Sequence, residues 1–121
     1  MSVDIYTKRV IIPPSNEGIY VYDGHQHMEY FDLSVSVVSR GVFTGTIDIC
    51  FGGLTVDSKS YSNGAVQFLC PVSDKIGMEL LPPTAGKVFG PPVDILVCYV
   101  VFKNTGLSDT VFDVSFMRKH R

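Results

Sequence analysis

His25 and His27 stand two positions apart in the stretch Asp23, Gly24, His25, Gln26, His27, Met28, Glu29. On a β-strand, residues i and i+2 share a face, so two imidazoles at this spacing can grip one cation. Asp23, Glu29 and Asp32 stand close enough in sequence to add carboxylate oxygens. On this reading His25, His27 and Asp32 are the candidate metal ligands. The only other histidine is His120, near the C-terminal end, so a third imidazole is missing and carboxylates or water would have to complete the shell. A polar hairpin corner accounts for the same residues without a metal, since Asp-Gly favours a tight turn.

The order glycine, H-x-H, acid resembles the first motif of the cupins, with Gly18, His25, His27 and Asp32 in the corresponding places. What the resemblance implies is a protein that holds a metal. The chain departs from that pattern in three ways: the acid is Asp where cupins carry Glu, the glycine spacings differ, and no histidine matches the second motif. A degenerate cupin-like metal-binding protein is therefore one of three functional readings.

Other chemistry has less support. Serines and cysteines are present, but no G-x-S-x-G elbow holds a nucleophile. The glycines at 41, 45, 52 and 53 lie in strand and turn contexts that do not form a phosphate loop. Asp48 and Asp57 are carboxylates whose separation the sequence does not set, so a paired acid and base rests on nothing more. The reading is a non-enzyme with no cofactor. Tyr20, Tyr22 and Tyr61 fall on or beside turns, where exposed rings can stack on sugars or anchor a protein contact. They are the candidate ligand-binding residues of a glycan- or small-ligand-binding module.

Composition narrows the field further. The 121 residues suit one domain, 1–121, and 45% hydrophobic with 18% charged residues is the balance of a folded protein. A net charge of −2 lacks the basic excess that direct nucleic-acid binding uses. The only basic cluster is 118–121, which reads as a tail. The N-terminus has no apolar core behind a basic start, so no signal peptide is expected and the chain reads as made in the cytoplasm. Cys50, Cys70 and Cys98 each sit in an apolar run without C-x-x-C spacing, which favours buried reduced thiols.

The elements that position these residues are strands. Residues 1–14 read as an edge strand or N-terminal arm ending at Pro13-Pro14. Alternation places Phe31, Leu33, Val35 and Val37 inward, then Phe43, Ile47, Ile49 and Phe51, and near the end Phe112, Val114 and Phe116. Arg40-Gly41 is expected to link two of these runs as a hairpin. Ser58 to Gly64 is expected to be a polar loop, with strands over 65–72 and 75–81 after it. Eight or nine strands with turn signals every 8 to 12 residues predict an all-β, single-domain antiparallel β-sandwich, jelly-roll-like, with an immunoglobulin-like sandwich as the alternative.

One run breaks the alternation. Val93 to Phe102 is apolar on both faces and, at ten residues, far short of the roughly 20 a membrane helix needs. It predicts a central strand whose second face must be covered. The proline-rich segment Pro82 to Pro92, which carries Val88 and Phe89, or another subunit would cover it. Leu96, Val100 and Phe102, or the opposite set, together with Val88 and Phe89, are the candidate interface. The preferred reading is a structural or interaction protein that self-associates into a homo-oligomer or larger assembly, such as a virion shell, cement or spike component, without membrane insertion.

Overall fold

The computed structural model describes residues 3–23, 30–76 and 97–120. The candidate ligands His25 and His27 lie outside the described residues, as do the candidate interface residues Leu96, Val88 and Phe89.

Alternation builds the sheet. Six antiparallel strands are described: β1 (Val3–Ile12), β2 (Ile19–Tyr22), β3 (Tyr30–Phe51), β4 (Leu54–Cys70), β5 (Cys98–Asn104) and β6 (Thr110–His120). A five-residue helix, α1 (Val72–Ile76), follows β4. The strand order is β1-β6-β3-β5-β2, with β4 along the other side of β3. The first half of β3 pairs with β6 and its second half with β5, while β4 accompanies both halves. Within the described residues a single continuous sheet thus takes the place of two separate ones. It is nearly closed into a barrel, its end strands β1 and β2 facing each other across a cleft lined by residues 8–12 and 19–21.

Among the described residues six strands stand where eight or nine short ones were expected over the whole chain, in part because two expected breaks are bulges. Val38 lies opposite Gln67 and Val42 opposite Ala65, so four steps along β3 match two along β4. Phe43 lies opposite Gly64 and Gly45 opposite Tyr61, where β4 instead takes the extra step. Both irregularities bend the ribbon without reversing it. Ser39 seals the first: its hydroxyl donates to the Gly41 carbonyl at 2.6 Å and accepts from the Val66 amide at 2.9 Å. Asn63 serves the second with φ 54°, a left-handed conformation Asn tolerates. The reversal falls at Gly52-Gly53, φ 61° and 83°, two residues between the paired Phe51 and Leu54. The strand expected over 65–72 is the end of β4 up to Cys70, and helix α1 takes residue 72 and the first two residues of the strand expected over 75–81, the rest of which lies outside the described residues. Ser73 of the helix accepts the Leu33 amide at 2.9 Å.

The inner face is the core. Leu33, Val35, Val37, Phe43, Ile47 and Ile49 from β3 are buried against Val100 and Phe102 from β5 and Phe112, Val114 and Phe116 from β6. Phe112 joins the two halves, its ring 5.1 Å from Phe43 edge-on and 4.5 Å from Phe102. Gly45 pairs with both Tyr61 and Asn104 at φ +147°. A Cβ there would collide with the Lys103 carbonyl and sit 2.9 Å from the Phe43 ring, so only glycine fits.

Of the two alternatives for the N-terminal residues the edge strand is the one found, since residues 3–12 pair along their length with β6 at one end of the strand order, while the expectation for the other terminus changes. Arg118, assigned to a tail, is 1% exposed and forms an ion pair with the equally buried Asp23. It lies on the inward register of β6, two positions beyond Phe116.

Candidate functional site

Strand register assembles the outer face of the second half-sheet in rows. Tyr22 lies beside Tyr99, Tyr99 beside Cys50 and Cys50 beside Thr55. The next row runs Tyr20, Val101, Asp48, Ser58, and the third Lys103, Thr46, Ser60. Two of the expected tyrosines, Tyr20 and Tyr22, are therefore neighbours and meet a third, Tyr99. Ring centroids are 6.1 Å apart for Tyr20 and Tyr22, 5.7 Å for Tyr20 and Tyr99, and 5.4 Å for Tyr22 and Tyr99. Interplanar angles of 19° and 29° for the first two pairs mean that the rings stack on each other, so their faces are partly occupied. Tyr20 and Tyr22 are nevertheless about half exposed. Partial burial, then the neighbouring Cys50, push the Tyr99 hydroxyl above its usual pKa.

Tyr61 does not join them. It packs edge-on against Phe43 at 6.2 Å and belongs to the margin of the core. Burial, then the charge of Asp57, raise its pKa. Asp48 and Asp57 separate as well. Asp48 shares the outer face with Ser58, whose hydroxyl donates to it at 2.5 Å, whereas Asp57 lies opposite the inward Ile49 and sits 3.8 Å from the Lys59 ammonium. Register puts the two carboxylates on opposite faces, so they cannot act as an acid and base pair. Asp32 lies in β3 in register with Lys119. Among the described residues no three His, Cys, Asp or Glu side chains converge on a metal-sized site.

The candidate interface resolves into its two faces. Val100 and Phe102 are both 0% exposed and belong to the core of the monomer, so they are not free to form the interface expected of them. The opposite set, Tyr99 and Val101, is half-buried and faces outward. Part of what covers the second face of the apolar run is the tyrosine cluster itself.

Sequence reasoning missed a distribution that only strand order reveals. Among the described strands β1, β2 and β4 each pair on one side only. Of the eight large apolar side chains most exposed among the described residues, six belong to these strands: Ile5 and Ile11, Tyr20 and Tyr22, Leu54 and Leu69. Between Ile5 and Ile11 the outer face shared by β1, β6 and β3 is polar in its middle rows. Thr7 and Ser115 share a hydroxyl hydrogen bond of 3.0 Å, and Asp113 binds Arg9 at 2.8 Å and Arg40 at 3.4 Å. The hydrogen bond from Arg9 holds the Asp113 carboxyl below its usual pKa.

The three thiols are buried. Burial, then the charge of Asp23, hold Cys98 well above the usual cysteine pKa, and burial also raises Cys50 and Cys70. Among the described residues no helix is long and apolar enough to cross a membrane.

No protein-family model and no characterised protein matches the chain by sequence. Solved structures match by fold. A structure described as Bacillus endospore appendages, a novel family of disulfide-linked pili, superposes with a TM-score of 0.53 at 7% identity, covering 99% of this chain and 90% of that one. The major capsid protein P2 of bacteriophage PM2 gives a TM-score of 0.44 at 10% identity, over 99% of this chain and 46% of that one. The infectious bursal disease virus VP2 subviral particle gives 0.37 at 12% identity, over 98% and 32%. The first of these likenesses establishes a shared β fold.

Proposed function

We propose that the chain is a non-enzymatic structural subunit that self-associates, forming part of a larger shell or fibre such as a virion component. The observation that carries this reading is the concentration of exposed apolar side chains on the three strands with an unpaired side. Unpaired strand edges present rows of amide and carbonyl groups ready to bond another chain, and proteins that stay monomeric usually blunt them with charge, proline or bulges. Here β1 and β2 carry Ile5, Ile11, Tyr20 and Tyr22 at 50–63% exposure, alongside the exposed Lys8 and Arg9 of β1. The likeness to the appendage protein is one of fold; the chemistry of the edges is what supports assembly. Electron microscopy of the concentrated purified protein tests the reading. Defined oligomers or ordered assemblies support it, and a field of particles of 13.3 kDa alone contradicts it.

A second reading, a glycan- or small-ligand-binding module, draws on the meeting of Tyr20, Tyr22 and Tyr99 beside Asp48 and Lys103. Mutual stacking of the rings leaves mostly edges and hydroxyls outward, a surface better suited to a protein contact than to the flat face of a sugar. A glycan array separates the two readings.

A further inference from the structure

Resting on the self-association reading, we infer that the outer face carrying Tyr20, Tyr22 and Tyr99 is where two copies meet, sheet face against sheet face about a two-fold axis. These side chains are accessible within the chain: Tyr20 is 53% and Tyr22 50% exposed, and Lys103 in the next row is exposed too. Tyr99 and Val101 lie half-buried beside them and make the patch continuous. An aromatic and apolar patch bordered by polar groups marks a protein contact, and tyrosine is among the side chains that anchor one.

Charge selects a second copy as the occupant. The three rows of this face carry one acid, Asp48, and one base, Lys103, so the face has no net charge to hold a polyanion or a strongly charged protein. It is instead complementary to itself, as a two-fold contact requires. Lys103 forms no ion pair among the described residues, and Asp48 accepts the Ser58 hydroxyl through Oδ1, leaving Oδ2 for a partner. Asp48 and Lys103 stand one strand and one row apart. A two-fold axis lying in the interface midway between them sets Asp48 of each copy over Lys103 of the other, twice. With rows about 6.8 Å and strands about 4.8 Å apart, the same axis passes beside Tyr20 and Val101, so each of these faces its own counterpart. The strands of the two copies then cross steeply, in the manner of orthogonally packed sheets. Tyrosine hydroxyls both donate and accept, so like can bond like across the axis. The face is about 20 Å on a side, smaller than the roughly 800 Å² per partner of a standard interface, and the dimer is accordingly a weak one.

Sedimentation equilibrium over a series reaching high micromolar protein tests the face. Tyr20→Ser removes the ring nearest the axis and is expected to weaken association about tenfold or more. Asp48→Lys sets lysine over lysine and Lys103→Asp sets aspartate over aspartate, and each is expected to weaken it about tenfold. The double variant Asp48→Lys, Lys103→Asp restores both pairs and is expected within about threefold of the parent. An equimolar mixture of the two single variants is expected to form mixed dimers. Should circular dichroism show that Asp48→Lys does not fold, Tyr20→Ser and Lys103→Asp, both at exposed positions, carry the test. A parent that stays monomeric throughout contradicts self-association itself. An associating parent that Tyr20→Ser or Lys103→Asp leaves unchanged overturns this face as the contact and leaves self-association standing. A double variant that folds yet associates as weakly as the singles overturns the pairing of Asp48 with Lys103.

Discussion

The amide nitrogen of Asn104 donates to the carbonyl oxygen of Ile12 at 3.0 Å, tying the last residue of β5 to the last residue of β1. The same side chain donates to the Ser108 carbonyl at 3.0 Å and accepts the Gly106 amide at 2.9 Å, and the backbone carbonyl of Asn104 accepts the Ser15 amide at 2.9 Å. At 1% exposure, one residue thus closes the end of the sheet where β1 gives way to β2. Replacing it with Ala strands buried partners, a loss of about 2–3 kcal/mol. Urea denaturation of Asn104→Ala is expected to show that loss, with the midpoint lowered and the slope unchanged.

Gly45 is expected to be intolerant. Gly45→Ala combines a φ of +147° with a clash against the Lys103 backbone, and the cost is at least about 2 kcal/mol. Gly41, whose added Cβ would meet nothing within 4 Å, is the control: thermal melts should show Gly41→Ala near the parent and Gly45→Ala far below it.

How much of this was legible in the residues depends on the kind of signal. Period-two alternation at Leu33, Val35 and Val37 and at Phe112, Val114 and Phe116 marks core faces, and the structure buries them. Glycine and asparagine do not by themselves distinguish a turn from a bulge, since both are common in each. That is why Arg40-Gly41 and the end of the segment from Ser58 to Gly64 read as breaks although they bend one long ribbon, Asn63 alone of these taking a left-handed backbone. Apolarity on both faces of residues 93–102 marks burial, but which face meets the core depends on register with β2 and β3. Hence Val100 and Phe102 were candidates for a surface they do not reach, and Tyr99, which completes the tyrosine cluster, was not singled out. Pro13-Pro14 marks β1 as an edge strand in the sequence, but nothing comparable marks β2 or β4, because strand order is a long-range property.

The buried pair of Arg118 and Asp23 makes a sharp mutational prediction. Removing one partner leaves the other charged and buried, at a cost of about 3–5 kcal/mol. Arg118→Met should therefore destabilise much more than Arg9→Met, whose partner Asp113 is exposed enough to be solvated. Differential scanning calorimetry of the two variants compares them directly.

Thiol chemistry should be silent in the native state. Cys50, Cys70 and Cys98 are expected to resist an aromatic disulfide reagent until denaturant is added, and non-reducing gels should show no disulfide-linked ladder. The raised folded-state pKa values also set a pH dependence. Below the unfolded cysteine value of about 8.5 both states are protonated and stability is unaffected; above it the unfolded chain ionises first. The denaturation midpoint is expected to fall as pH rises from 8 to 10, and Cys98→Val should flatten that fall.

Self-association remains the centre of the account, and light scattering behind a sizing column measures it most directly. The prediction is a mass that is a multiple of 13.3 kDa and grows with loaded concentration. A constant mass of 13.3 kDa up to millimolar protein would contradict it.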